Sequence, residues 1–330
     1  MDVRQVPMVD VAALIAFPND VEVDAALRAK DGDARKIVEE IGAAANEWGF
    51  FYIANHGLSE QEMAKFQKAM RSFFDLPKDV KRTVQRTLTN SRGYVEHELT
   101  KNKTDCKECF DFAGANEDGP ANDKHLRLGD DKNQWISEEA LPGFHNEMTT
   151  YFNKMEYIAR RLLKVFAVAL GEEPTFFDQF FHDENSSHMR LNHYPATEDP
   201  EKTMGVYHHT DAGFSPSVSN VGQRAASQGT YTINIGDMVQ VWSNDQFVAL
   251  LHRVLANGGA DRFSAPFFYN PSYKAQVEPI VMKPGDVANY RQLSWGEFRL
   301  RRYQGNVTDK GKEIQIGDFK VRGPIDVANS

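Results

Sequence analysis

Apolar residues in the first half of the chain recur at the three- and four-residue spacing of amphipathic helices. Residues 33–49 (DARKIVEEIGAAANEWG) and residues 143–171 both show this spacing, and each run ends at a glycine, which favours helix termination. In residues 59–77, Ser59 and Glu62 have the spacing of a capping box, and the run ends at a proline. The pattern therefore predicts three helices, of which the last is the longest.

The apolar pattern shortens to strand-like runs in the second half of the chain. From about residue 188, the runs HMRLNHYP, TYTINIGDMVQVWS, FVALLHRVLA and RFSAPFFYNP are rich in β-branched and aromatic residues. Gly, Asn, Asp and Pro separate them, which predicts an antiparallel barrel or jelly roll. One further strand-like run, FFYIANHG at 50–57, lies among the early helices, and a helix is predicted at 294–305.

Composition and charge exclude several classes of protein. The 330 residues carry a net charge of −9, so we expect neither a nucleic-acid partner nor a membrane partner. No apolar run approaches the roughly 20 residues that span a bilayer, and a cytoplasmic location is expected. The two cysteines, Cys106 and Cys109, form a Cys-x-x-Cys motif. Because there is no second cysteine pair and the following CFDFAG alternates like a strand, we favour chance spacing over a zinc or redox site.

The stretch YHHTDAGF at 207–214 contains candidate metal ligands. On an extended segment His209 and Asp211 project from one face, whereas on a helix His208 and Asp211 would be neighbours. The strand-rich surroundings favour His209. His252, in ALLHRVLA, is the best candidate for a third ligand, and two histidines with one carboxylate form the facial triad of non-haem Fe(II) sites. A hydrogen-bonded structural pair is the alternative for an isolated His-x-Asp.

A second pair of polar residues follows in the run RFS. Arg262 and Ser264 are two positions apart, so both side chains lie on one face of a strand. A guanidinium fork beside a hydroxyl suits the binding of a carboxylate.

In this order, these motifs resemble the isopenicillin-N-synthase-like family of Fe(II)/2-oxoglutarate-dependent dioxygenases. The resemblance covers nearly the whole chain. In the N-terminal part it rests on AANEWGFFYIANHGL (44–58), SRGY (91–94) and KECFDF (107–112). In the C-terminal part it rests on LNHYP (191–195), HTDAGF (209–214), NIGDMVQVWSN (234–244), LHRVL (251–255) and RFSAPFFYNPS (262–272).

The resemblance implies a mixed α/β fold with a mainly β core. This core would be a double-stranded β-helix, of jelly-roll or cupin-like form, with an N-terminal helical annex, a long supporting helix and a C-terminal helix. Residues 1–112 would form the helical region, residues 113–187 the connecting loop and long helix, and residues 188–330 the catalytic core. The three regions are expected to form one compact unit.

The resemblance also assigns roles to individual residues. His209, Asp211 and His252 would bind Fe(II). The residues expected to bind 2-oxoglutarate are Arg262, Ser264, Tyr194 and Asn192. Weaker candidates for contact with the substrate are Phe268, Asn270, Tyr94, Phe110, Phe112 and Arg190.

The implied activity is oxidation of an unactivated C–H bond of a small molecule, with 2-oxoglutarate and O₂ consumed and succinate and CO₂ released. Hydroxylation, desaturation and oxidative cyclisation all remain open, and a monomer is expected, with a weak dimer as the alternative. Two other functions are also open: an iron and O₂ oxidase that does not use 2-oxoglutarate, and a non-catalytic binding relative. The second follows from residues 215–229, which are polar and shorter than the family pattern by about one hairpin of two ~5–6-residue strands.

Overall fold

The structure is a computed structural model of the chain. It describes the ranges 5–87, 90–101, 103–114, 132–181, 185–200, 203–213, 229–281, 285–307 and 314–322, and the backbone of 215–218. The α-helices in these ranges are α1 (Ala12–Ile15), α2 (Asp20–Arg28), α3 (Asp33–Glu47), α4 (Glu60–Phe74), α5 (Lys78–Arg82), α6 (Phe144–Ala169), α7 (Asp237–Trp242) and α8 (Trp295–Val307). Short 3₁₀ helices span Phe176–Gln179 and Ile316–Phe319.

The strands alternate with these helices along the chain. The N-terminal strands are β1 (Met8–Asp10), β2 (Phe50–Ala54), β3 (Gly93–Glu96), β4 (Leu99–Thr100), β5 (Lys103–Thr104) and β6 (Glu108–Phe112). The C-terminal strands are β7 (His188–Tyr194), β8 (Met204–His209), β9 (Ser215–Val218), β10 (Tyr231–Asn234), β11 (His252–Leu255), β12 (Arg262–Phe268), β13 (Gln276–Val277) and β14 (Leu293–Ser294).

The three helices predicted from apolar spacing are confirmed as α3, α4 and α6. The predicted capping box at the start of α4 is present, because Ser59 accepts from the backbone N–H of Glu62 and the Glu62 carboxylate accepts from that of Ser59. Past the end of α6, Gly171 has a φ of +80°, a left-handed conformation that glycine adopts without strain. The 26-residue α6 packs against α2, α3 and α4 and supports the sheet.

An eight-stranded sheet forms the centre of the molecule, in the order β1-β2-β10-β9-β12-β7-β6-β3. Strands from the N-terminal part flank it on both sides, so both parts of the chain build the same sheet. Strands β8 and β11 form a separate two-stranded antiparallel sheet. A mixed fold of helices around a β core is therefore observed, as predicted.

One predicted strand segment is wrong. The run DMVQVW belongs to helix α7, in which Met238, Val241 and Trp242 are buried at helical i, i+3 and i+4 positions. The backbone N–H groups of Asp237 and Met238 donate to the carbonyl oxygens of Asp211 and Ala212, in the loop after β8, at 2.8 and 3.1 Å. These bonds satisfy donors that the first turn of a helix leaves open, and tertiary contacts thereby override the β propensity of the run.

The polar segment at 215–229 lies mostly outside the described residues. Its first part forms β9, whose backbone pairs with β10 on one side and with β12 on the other. The predicted shortening of this segment stays a prediction, since residues 219–228 lie outside the described residues. A search of the described helices finds none long and apolar enough to cross a membrane.

Candidate metal centre and two adjoining cavities

The three candidate ligands come together where the two-stranded sheet ends. His209 is the last residue of β8, and His252 is the first residue of β11 and its antiparallel partner. Asp211 lies in the loop that follows β8. The ligand atoms of the three side chains all lie within 4.8 Å of one another, so one ion could contact all three.

Hydrogen bonds orient both imidazole rings toward the carboxylate. The Nδ1 atom of His209 lies 2.8 Å from the carbonyl oxygen of Tyr207, and that of His252 lies 3.1 Å from the carbonyl oxygen of Leu250. Because a carbonyl oxygen only accepts, each Nδ1 carries the proton and each Nε2 has a free lone pair. These Nε2 atoms lie 3.8 and 3.9 Å from Oδ1 of Asp211.

The electrostatics at His209 favour metal binding over protonation. Burial, followed by the repulsion that a protonated His252 would exert, lowers the pKa of His209 to about 4. The neutral imidazole present at pH 7 is the form that binds a metal ion. Two imidazole nitrogens and one carboxylate oxygen are the donor set of the Fe(II) facial triad, so these residues fit that ion.

His208 points away from this cluster. Its side chain is exposed, and its Nε2 lies 3.1 Å from Nη1 of Arg253. The alternation of an extended segment, which separates His208 from His209 and Asp211, is therefore observed.

The loop that carries Asp211 is held by close backbone contacts and by α8. The backbone N–H of Asp237 donates to the carbonyl oxygen of Asp211. A Cβ at Gly236 would lie 1.5 Å from the carbonyl oxygen of Gly213, so only glycine allows this approach. From α8, the buried Arg302 donates to the carbonyl oxygen of Thr210 at 3.0 Å.

Cavity A, of about 220 Å³, joins the triad to strands β7 and β12. Its lining includes all three candidate ligands and the four residues predicted to bind 2-oxoglutarate: Asn192, Tyr194, Arg262 and Ser264. The register of β12 on β7 places Arg262 opposite Tyr194 and Ser264 opposite Asn192, and Asn192 Nδ2 donates to Ser264 Oγ at 3.3 Å.

Two buried polar atoms of this cavity have no hydrogen-bond partner among the described residues. They are Nη1 of Arg262 and Oδ1 of Asn192. The Arg262 guanidinium lies 5.0 Å from the centroid of the Tyr194 ring, which fixes its position without satisfying its donors. Buried donors of this kind are normally satisfied, so the cavity fits a dicarboxylate such as 2-oxoglutarate.

Cavity B, of about 110 Å³, adjoins the candidate ligands His209 and Asp211. It shares with cavity A the residues Lys107, Arg190, Val206, His209, Asp211 and Phe268. The rest of its wall is Glu98, Thr100, His188, Thr210, Ala212, Gly213, Asn270, Arg299 and Arg302. Two connected spaces therefore meet at one candidate metal centre.

A buried ion-pair network forms one wall of cavity B. Arg190 contacts Glu98 at 2.6 Å and Asp111 at 2.7 Å, and Lys107 contacts Glu98 at 3.1 Å. Although burial raises the pKa of Glu98, the charges of Arg190, Lys107 and Arg86 hold it well below its usual range. The carboxylate of Glu98 is thus ionised and fully compensated.

Of the six weaker substrate candidates, Phe268, Asn270 and Arg190 line cavity B. The other three do not line either cavity, which corrects their assignment: Phe110 and Phe112 are buried among the rings of Phe73, Trp135 and Phe144, and the buried Tyr94 donates to Glu108. The physical reason is strand alternation. On β6, Asp111 faces Arg190 in the cavity wall, so its neighbours Phe110 and Phe112 face the core.

Sequence reasoning missed Glu98, Lys107, Arg299 and Arg302 in the cavity wall. The alternation of side chains along β6 would have indicated Lys107, because Lys107 lies on the same face as Cys109 and Asp111. The spacing along α8 could not have found Arg299 and Arg302, since a helix in isolation does not reveal which of its faces meets a cavity.

Comparisons with known proteins agree with this geometry. Residues 6–138 match the family model described as non-haem dioxygenase in morphine synthesis N-terminal, and residues 185–271 match that of the 2OG-Fe(II) oxygenase superfamily. A homoarginine-6-hydroxylase of Oryza sativa subsp. japonica is 27% identical over 334 residues, covering 92% of this chain and 98% of the relative. Gibberellin 20 oxidase 2 of Arabidopsis thaliana is 28% identical, covering 81% and 74%.

The fold has a close counterpart among solved structures. The crystal structure of a full-length Neurospora crassa protein in complex with alpha-KG and thymine superposes with a TM-score of 0.74. It is 21% identical, and the match covers 92% of this chain and 98% of that one. At this identity the likeness shows a shared fold.

Proposed function

Because the chain belongs to the 2OG-Fe(II) oxygenase superfamily, and is thus an oxidoreductase that uses Fe(II) and 2-oxoglutarate, we propose that His209, Asp211 and His252 hold the iron. The observation that carries this proposal is the convergence of two Nε2 atoms and one carboxylate oxygen within 4.8 Å. Both histidines are held in the tautomer that directs a lone pair into this space.

We propose that 2-oxoglutarate lies in cavity A. Arg262 and Ser264 would bind its distal carboxylate, with Tyr194 and Asn192 completing the pocket. The unpartnered Nη1 of Arg262 supports this role, since it is a buried donor that a ligand carboxylate could satisfy. With iron at the triad, the keto-acid end of the molecule would approach the metal from the same cavity.

The proposed reaction is oxidation of a C–H bond of a small molecule bound in cavity B. Bound iron supplies the activation of O₂, and the protein supplies position and exclusion of water. In a hydroxylation, one oxygen atom enters the substrate and the other enters succinate, while the carboxyl carbon next to the keto group leaves as CO₂. Phe268, Asn270 and Arg190 would form part of the substrate wall.

We further propose that the segments 1–112, 113–187 and 188–330 act as one structural unit. The pairing of β2 with β10 and of β6 with β7 supports this view, because it joins the first and last segments in one sheet. The packing of α6 against α2, α3 and α4 supports it for the middle segment.

The two other functions considered for the sequence are not favoured. The family model that matches residues 185–271 is that of the 2OG-Fe(II) oxygenases, and the relatives found are named as enzymes.

Anaerobic titration of the metal-free protein with Fe(II), and then with 2-oxoglutarate, tests the proposal. We expect the weak visible charge-transfer band of a keto acid chelated to iron. The band should weaken in Arg262→Gln and should be unchanged in Arg35→Gln, an exposed arginine on α3 that pairs with Glu39.

Iron binding without the band would reject the role of cavity A and would favour an oxidase that does not use 2-oxoglutarate. Absence of iron binding would reject the triad. Where the band forms, stimulation of O₂ consumption and succinate release by 2-oxoglutarate should follow.

A further inference from the structure

Positive charge in and around cavity B exceeds the negative charge that the protein supplies there. The charged side chains of the network beside it balance one another, three cations against three anions: Arg86, Lys107 and Arg190 with Glu98, Asp105 and Asp111. Arg190 donates hydrogen bonds to both Asp111 and Glu98. No negative charge of the network is left over for another cation.

Arg302 is also compensated. It donates to the carbonyl oxygens of Thr210 and Ile314, and its charge lies near the buried carboxylate of Asp237.

Two guanidiniums are left without a partner among the described residues. Arg299 lines cavity B and has neither a hydrogen bond nor an ion pair to any described residue. Arg92 lies close by and is only 5% exposed, and its buried Nε is unpartnered within the same part of the chain. Arg92 is buried and Arg299 is partly buried, and proteins rarely take an arginine out of water without an anionic partner, because the lost hydration of the charge is then not compensated.

The surroundings of Arg299 do not compensate its charge. Tyr273 acts favourably on this charge and Asp111 does so less strongly, but Tyr273 offers a phenol and not a carboxylate, and Arg190 already engages the carboxylate of Asp111. Burial, and then the charges of Arg92, Arg299 and Arg190, hold the pKa of His188 well below its usual range, so this imidazole is neutral.

The neutral His188 ring also gives cavity B a flat aromatic wall. It stacks on Phe268 with ring centroids 4.7 Å apart and an interplanar angle of 18°. Cavity B thus combines this wall with the candidate metal centre and an uncompensated guanidinium.

We propose that the substrate is a small carboxylic acid whose carboxylate is bound by Arg299, with Arg92 adding positive potential; this inference rests on the proposed oxygenase function. The guanidinium fork matches the two oxygens of a carboxylate. At about 110 Å³, cavity B is smaller than a cavity of about 150 Å³ that holds benzene, so the part of the substrate inside it is small. Arg262 is separate from this site, since it lines cavity A.

The experiment uses protein loaded anaerobically with Fe(II) and 2-oxoglutarate, so that binding is measured without turnover. The probes are small monocarboxylic acids, amino acids and aromatic acids included, each paired with its primary amide as the uncharged analogue. Melting temperatures identify the acids that bind, and calorimetry gives their dissociation constants. The charge-transfer band of each sample reports whether iron and 2-oxoglutarate are in place.

We expect at least one acid to bind and its amide to bind much more weakly. In Arg299→Gln the acid should bind roughly tenfold to a hundredfold more weakly, as expected for loss of a charge-assisted hydrogen bond. Arg299→Lys keeps the charge, so its affinity for the acid should lie between that of the unmodified protein and that of Arg299→Gln. Arg301→Gln is the matched control, because Arg301 lies on the same helix, is 57% exposed and pairs with Glu297.

The charge-transfer band should be the same in all these variants. The inference is overturned if amides bind as tightly as acids, or if Arg299→Gln binds the acid as the unmodified protein does. It is also overturned if the band forms but no acid binds, an outcome that leaves the proposed function standing. Absence of the band in the unmodified protein would instead reject the proposed function, and the inference with it.

Discussion

Arg302 on α8 donates a hydrogen bond to the carbonyl oxygen of Thr210 at 3.0 Å, 92 positions earlier in the chain. Thr210 is the residue between the candidate ligands His209 and Asp211. The C-terminal helix therefore contacts the segment that carries two of the three ligands. Arg302 also lies near Asp237, whose pKa is raised to about 6 by burial, while the charge of Arg302 acts in the opposite direction.

Replacing Arg302 should weaken iron binding although its side chain does not touch the candidate ligand atoms. In Arg302→Leu the Thr210 carbonyl loses its donor and the buried Asp237 loses its nearby cation. We expect roughly tenfold to a hundredfold weaker Fe(II) binding, as is typical when groups that orient metal ligands are removed. Anaerobic Fe(II) titration against a competing chelator measures this, and equal affinity in Arg302→Leu and Arg301→Leu would refute the positioning role.

The two adjacent histidines should behave differently when each is replaced. His209→Ala should abolish detectable Fe(II) binding, because the triad then has only two ligands. His208→Ala should retain nearly full affinity, since the exposed His208 contacts Arg253 and not the cluster. Metal content after anaerobic loading decides the matter, and loss of iron in the His208 variant would show that the strand register differs.

Glu98→Gln should destabilise the protein strongly. The substitution leaves Arg190 and Lys107 with one fewer buried anion, and removing one partner of a buried ion pair costs roughly 3–5 kcal/mol. Urea unfolding followed by circular dichroism gives the change in the free energy of unfolding. The control is Glu297→Gln, whose side chain is 60% exposed and should change stability by less than about 0.5 kcal/mol.

The pH dependence of stability should report the contacts of His193. Burial alone would lower the pKa of His193, but its hydrogen bonds to Glu108 and Asp261 raise it above the ordinary value of 6.5. A raised pKa in the folded state means that proton binding favours folding. The stabilisation that comes from protonation of His193 is thus complete below pH 6.5 and is lost as the pH rises through the folded-state pKa of His193.

Comparison with His193→Gln isolates this effect. The difference in unfolding free energy between the two proteins should be largest below pH 6.5 and should shrink as the pH rises through the raised folded-state pKa of His193. His208→Gln is the reference for histidine replacement, because the side chain of His208 contacts Arg253 and no acid among the described residues. A difference that does not depend on pH would show that His193 contributes through packing alone.

Much of the architecture, and the placement of His209 and Asp211 on one face, was predictable from local sequence. Helices α3, α4 and α6 follow from apolar spacing, and the start of α4 follows from Ser59 and Glu62. The relation between His209 and Asp211 likewise needs only the two-residue period of an extended chain. Such features depend on residues within a few positions of one another, and a linear pattern records them.

Local patterns along the chain thus predict the main helices, most of the C-terminal strands and the polar residues that share a strand face. Long-range contacts are needed to place the run at 237–242 in a helix, to turn Phe110 and Phe112 toward the core, and to bring Arg299 and Arg302 of α8 to cavity B. The physical reason is that periodicity identifies two faces of a strand or helix but does not label them. Which face meets a cavity, and which buried charge finds a partner, depends on segments that are distant in the chain and are brought together by folding.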